Sequence, residues 1–211
     1  MTDTLILHEY ALSGNCYKIR LTAAHVGMAL ERREYDIMAG ATRTPEFLAS
    51  VNANGRIPVL QVGERFLPES NAACWYLGEG SSLIPDGEDD AGRFDRADVL
   101  RWMCWEQYSH EPNVATMRFW KTFLGLDKLN EAQHEQLEAK WLAGEAALAL
   151  MNTHLATRDW FVGDGLTLAD ICLYAYTHVA EEGGFHLSRY PAVVAWLARV
   201  AASPGHVTIS A

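Results

Sequence analysis

Between residues 80 and 92 the sequence reads GSSLIPDGEDDAG, and there its β-like patterning stops. Gly, Ser, Pro and Asp packed into so short a run interrupt helix and strand alike. Few contacts cross such a stretch in a folded chain, so the parts on either side must each build a core. A chain of 211 residues is long enough for two modest cores. The expected organisation is a domain over 1–80, a linker over 81–91 and a second domain over 92–211.

The first eighty residues alternate short β-like runs with helical patterns. Residues 4–10 open with a strand, 15–28 read as a helix with Ile19, Ala23 and Val26 on one face, and 32–37 form a second strand. A short helix over 44–51 has Pro45 at its start. Residues 56–61 and 65–67 flank Val62-Gly63-Glu64, a hairpin signal. Residues 69–78 close the unit as a helix. The order βαβαββα predicts an α/β domain with a small mixed sheet.

From Arg93 onward the pattern is helical, and an all-α bundle follows. Leu137, Trp141, Gly144, Leu148, Met151 and Leu155 recur at spacings of four and three, which is a core-facing stripe. Residues 100–108 carry Trp102, Met103, Cys104 and Trp105 in succession, more than one face can hold. The first domain, a second subunit or a ligand must cover the surplus. Thr167 and Asp170 match a capping box, with Leu166 placed to pack on Ile171 as a staple. That segment reads as structural.

Composition excludes several classes. No run of about 18 apolar residues spans a membrane, and the acids of MTDTLILHEY do not resemble a signal peptide. A cytoplasmic protein is expected. The formal charge of −10, with no basic cluster, argues against nucleic acid as a partner. Cysteines at 16, 74, 104 and 172 form no C-x-x-C pair, and eight scattered histidines show no ligand spacing, so no metal is expected.

Three short constellations carry possible chemistry. Ser13-Gly14-Asn15-Cys16 stands where the first strand hands over to a helix, whose N–H groups favour an anion. Ionising a thiol at neutral pH takes a shift of about two units from 8.5, or roughly 2.7 kcal/mol. A hydroxyl donated to the thiolate gives about 1.5–3 kcal/mol and the helix end roughly 0.3–1, which together suffice. Taken alone, a Ser before a helix is most often just a helix cap. Ile57-Pro58 stands before Val59-Leu60 in a β-like run. Proline there implies an edge or a bulge, with backbone groups open to an extended peptide and a peptide bond either cis or trans. Glu69-Ser70 opens the next helix; a hydroxyl with helix N–H groups suits a carboxylate, and Glu69 suits an ammonium group, although the pair by itself reads first as a helix cap with a surface acid.

Together these motifs resemble the glutathione transferase family along nearly the whole chain. SGNCYKIR looks like the family's serine-type active-site loop, NANGRIPVL like its cis-proline loop, Glu69-Ser70 like its γ-glutamyl site, and GDGLTLADI like the capping segment of its helical domain. The resemblance implies a thioredoxin-like first domain that binds glutathione and a helical second domain that holds a hydrophobic electrophile. It implies Ser13 as thiolate stabiliser, Asn15 as orienter of the thiol, Ile57 and Pro58 along the cysteinyl backbone, Arg56 at the glycyl carboxylate, and Glu69 and Ser70 at the γ-glutamyl end. His8 stands near the tyrosine of other family members, with Tyr10 in reserve. Cys16 either carries a depressed pKa or points into the packing. Trp105, Tyr108 and Trp120 are candidates for the second-substrate pocket. A homodimer is expected. Isomerase, disulfide reductase and a non-catalytic binding module remain as alternatives.

Overall fold

A computed structural model describes residues 4–211. The chain forms two compact units: Met1–Ile84 together with Ser203–Ala211, and Pro85–Ala202.

In the first unit β1 (Leu5–Glu9) is a central strand. It pairs parallel with β2 (Glu31–Glu34) and antiparallel with β3 (Val59–Val62), which pairs antiparallel with β4 (Arg65–Pro68). The sheet order is β2-β1-β3-β4. Parallel pairing needs a crossover, and α1 (Gly14–His25) supplies it. The antiparallel pair β3–β4 needs only a tight turn, and Gly63 takes the positive φ of 58° there. Leu7 and Leu60 face each other across the two inner strands, and both are fully buried. β2 reads Glu-Arg-Arg-Glu and is exposed throughout, so charge guards that edge against a further strand. With α2 (Pro45–Ser50) and α3 (Ser70–Gly78), the order is the βαβαββα expected from the sequence.

α1 departs from the expected single stripe. Ile19 and Ala23 are buried, but so are Cys16, Tyr17, Lys18, Arg20, Leu21 and Thr22. The helix is covered from several sides: α3 packs on it, and the chain returns over it at 203–211. The Tyr17 hydroxyl donates to the Val207 carbonyl at 2.6 Å, and Arg20 donates to the carbonyls of Ile209 at 2.8 Å and Ala211 at 2.9 Å. The helical unit therefore ends at Ala202, short of the expected 211, because these donors hold the last nine residues to the first unit. Beneath them Glu9, fully buried, pairs with Arg32 and faces Arg20 at 3.1 Å, a charge contact without hydrogen-bond alignment.

The second unit is helical: α4 (Asp90–Trp105), α5 (Glu111–Arg118), α6 (Glu131–Leu155), α7 (Leu168–Thr177) and α8 (Pro191–Ala201). Asp89 caps α4 by accepting from the Gly92 N–H at 2.7 Å. Glu106–His110 forms a wider π turn, with the Glu111 N–H reaching the Glu106 carbonyl. Pro112 explains it, because a proline ring inside a regular helix clashes with the carbonyl four residues back and offers no N–H. On α6 the expected stripe is buried from Gly144 onward, through Leu148, Met151 and Leu155, while Leu137 and Trp141 at its start are only half-buried. Gly144 is required there: a Cβ would come within 2.4 Å of the Phe185 ring. Among the described residues no helix is long and apolar enough to cross a membrane.

The capping box of α7 is formed as expected. Asp170 is fully buried and accepts four hydrogen bonds: from Thr167 N–H and hydroxyl at 2.9 Å each, from Trp196 Nε1 at 2.9 Å and from Phe161 N–H at 3.1 Å. Burial pushes its carboxyl up to about 6, against the pull of those donors.

Candidate functional site

Strand register gathers the three constellations at one end of the sheet. His8 on β1 pairs with Val59 on β3, and Val59 pairs with Pro68 on β4. Glu9 ends β1, so the loop to Ser13 leaves from this end; Pro58 enters β3 here, and Glu69 leaves β4 here. Segments up to 56 residues apart in sequence (Ser13 and Glu69) thus share one rim.

Ser13 caps α1, its hydroxyl accepting from the Cys16 N–H at 3.4 Å. That bond uses an oxygen lone pair, and the O–H proton stays available for a ligand. The opening turn of the helix supplies partial positive charge beside it. Asn15 Oδ1 accepts from the Ser70 hydroxyl at 3.2 Å, which joins the first constellation directly to the third.

Cys16 belongs to the packing. Its side chain is fully buried, its sulfur accepts from the Tyr10 N–H at 3.4 Å, and burial pushes the thiol up to about 12. A thiolate there is disfavoured, so the depressed-pKa reading of Cys16 is corrected. His8 is also inside, its ring nitrogens 2.9 Å from Tyr35 Oη and 2.9 Å from Gln61 Oε1, and burial lowers its pKa. It does not reach the rim.

The Ile57–Pro58 peptide is cis. Its loop is tightly tied: Asn52 Nδ2 donates to the Arg56 carbonyl at 2.9 Å and Arg43 Nη1 to the Asn54 carbonyl at 2.9 Å. Gly55, at φ 62°, has no room for a side chain, since a Cβ would lie 2.9 Å from the Thr42 carbonyl oxygen. Arg56 is exposed and Ile57 half-buried.

Glu69 has φ 71° and ψ 111°, a left-handed conformation that costs a non-glycine residue about 1–3 kcal/mol. Its side chain makes no cap to α3, and its carboxylate is exposed while Ser70 is buried. Such strain persists where the surroundings hold it, and it concentrates at ligand sites. Nothing in Pro68-Glu69-Ser70 announced it in advance.

The three aromatic candidates of the helical unit separate. Trp120 is buried, with Lys140 Nζ 6.0 Å from its ring centre. Trp105 is half-buried and meets Trp102 edge-on at 5.3 Å. Tyr108 stands in solvent, 87% exposed. Tyr108 follows the π turn outward, so residues three apart diverge from the pitch that a regular helix predicts. Among the described residues no three His, Cys, Asp or Glu side chains gather as a metal site.

Comparison with known proteins matches both halves of this arrangement. Residues 4–79 match the glutathione S-transferase N-terminal domain, and residues 113–204 the C-terminal domain. The crystal structure of a glutathione S-transferase from Pseudomonas fluorescens superposes with a TM-score of 0.89 at 41% identity, covering 97% of this chain and 98% of that one. Glutathione S-transferase 2 of Anopheles gambiae is 31% identical over 95% of this chain and 93% of its own length. The maleylacetoacetate isomerase of Rhizobium meliloti is 28% identical over 92% and 90%. With both domain models matched, the chain belongs to the glutathione S-transferase family, enzymes that take glutathione as a substrate.

Proposed function

We propose that the rim formed by Ser13, Asn15, Arg56, Ile57, Pro58, Glu69 and Ser70 binds glutathione and ionises its thiol for attack on a hydrophobic electrophile. The observation that carries this reading is the Asn15–Ser70 hydrogen bond, which brings the thiolate and γ-glutamyl constellations together. The ammonium of the γ-glutamyl end meets Glu69, and its carboxylate meets Ser70 with the opening turn of α3. Ile57 pairs with the cysteinyl backbone, and Arg56 reaches the glycyl carboxylate. The Ser13 hydroxyl donates to the thiolate, and Asn15 orients it.

A second reading is glutathione-dependent isomerisation, favoured by the likeness to the Rhizobium isomerase along nearly the full length of both chains. A reductase that depends on Cys16 has less support, because that thiol is buried and protonated at neutral pH. Steady-state assays against a haloarene, an organic disulfide and a cis-olefinic diketo acid separate the three. Turnover of the haloarene with glutathione is expected. Turnover of the diketo acid without net consumption of glutathione replaces conjugation by isomerisation.

The protein acts in the cytoplasm as a homodimer in this reading. Support comes from α4, which leaves two large apolar side chains, Phe94 at 71% and Leu100 at 49%, exposed. Sedimentation at micromolar concentration should give about twice the 23.5 kDa chain mass; a single species at 23.5 kDa overturns the dimer.

A further inference from the structure

Lys18 lies on α1 about one turn beyond Asn15, and its side chain is fully buried. Lysine is seldom found wholly inside a protein, because its ammonium group gives up hydration there. The amphipathic pattern of the sequence offers no reason for a lysine at this position. Its surroundings offer one. Lys18 Nζ donates to Asn71 Oδ1 at 3.2 Å, and Asn71 adjoins Ser70, whose hydroxyl donates back to Asn15 Oδ1 at 3.2 Å. Asn15, Lys18, Asn71 and Ser70 therefore close a ring. One turn of α1 forms one side, one peptide bond of α3 forms the other, and two long-range hydrogen bonds join them.

Such a ring sets register. A single bond between Asn15 and Ser70 leaves α3 free to slide or turn about it, whereas two bonds from consecutive residues of α3 to consecutive turns of α1 do not. A methionine would fill the same volume as the lysine stem but aim nothing at Asn71. An ammonium donor makes a bond about twice as strong as a neutral one. We propose that Lys18 is a positioning residue of the glutathione site, holding the opening turn of α3 where Ser70 meets Asn15. This role rests on the proposed reading of the rim. Lys18 acts through Asn71 and Ser70 and belongs to binding, while Ser13 belongs to the ionised thiol.

Two variants test it. Lys18→Met removes the donor from inside, and Asn71→Ala removes the acceptor at a half-buried position where folding is less at risk. Each is expected to raise the glutathione Kd by calorimetry, and the glutathione KM, about tenfold, because binding must then supply the ordering of α3 that the bond supplied in the free protein. The kcat at saturating glutathione should stay within about twofold, since the interaction is uniform between ground and transition states. Because both variants cut the same link, the double variant should be no weaker than the worse single one. A merely structural lysine would lower thermal stability without this split between KM and kcat. Unchanged glutathione affinity in folded Asn71→Ala, or losses that add as for independent sites, overturns the proposal. If Lys18→Met does not fold, Asn71→Ala decides alone. A parent protein that binds no glutathione overturns the site reading and this role together; normal binding by parent and variants overturns the role of Lys18 only.

Discussion

Asp170→Ala is expected to cost at least about 4 kcal/mol, because it strips four hydrogen bonds from buried donors at about 1–3 kcal/mol for each group left unsatisfied. Those donors sit on three separate segments: Phe161 in the turn after α6, Thr167 at the start of α7 and Trp196 on α8. Phe161 and Trp196 are fully buried, so water cannot replace the lost acceptor. Against a typical total stability of about 5–15 kcal/mol the loss is severe. For a chain of this size it lowers Tm by roughly 8–16 °C, at about 2–4 °C per kcal/mol. Asp170→Asn keeps one acceptor oxygen but turns an amide NH2 toward a donor, and should lie between parent and alanine variant. Thermal unfolding followed by circular dichroism checks the series. A loss under about 1 kcal/mol for the alanine variant, the size of an ordinary surface cap, means the buried network is not what holds α7 and α8 together.

Ser13→Ala is expected to raise the pKa of bound glutathione by about one to two units, the worth of a hydrogen bond to a charged group. From a bound pKa about two units below 8.5, turnover at pH 7 should then fall roughly three- to twenty-fivefold, in proportion to the thiolate lost. Glutathione affinity should change little, because the remaining rim holds the tripeptide and the lost bond acts on the ionised thiol. Above the raised pKa the thiol ionises unaided, so most of the lost rate should return as pH rises. Ultraviolet titration of the bound thiolate and a pH–rate profile read both effects. Cys16→Ala should leave the titration unmoved, because that thiol, pushed up to about 12, carries no charge in the working range. If Ser13→Ala leaves the bound thiolate where it was, the hydroxyl is not the stabiliser, and Tyr10 and Asn15 are tested next.

Local pattern carried a good part of this fold. The βαβαββα order, the later part of the stripe on α6 and the capping box of α7 each depend on neighbours within a few residues, which a sequence states directly. The same holds for Ser13 as a helix cap. The strand edge expected at Pro58 is not there: β3 lies between β1 and β4, and Pro58 stands just before its first residue. What sequence left open depended on contacts between distant residues. Cys16 had two readings until the Tyr10 N–H and the surrounding core placed its sulfur inside. Trp105, Tyr108 and Trp120 looked alike as aromatic residues, and only the π turns at Glu106–His110 and Phe119–Leu124 and the packing of the helices gave them a half-buried, an exposed and a buried place.

Three features were decided by tertiary structure alone. Lys18 stays inside with Asn71, 53 residues away, accepting a hydrogen bond from its ammonium group. Glu69 holds a left-handed backbone because the turn from β4 into α3 requires it, although glutamate has no intrinsic preference for that region. Residues 203–211 leave the helical unit because Tyr17 and Arg20, about 190 residues earlier, offer donors to their carbonyls. In each case the sequence names the groups but not their partners. Pairing a buried donor with an acceptor is a condition on the whole folded chain, since an unpaired group in the interior costs more than the local preference it overrides.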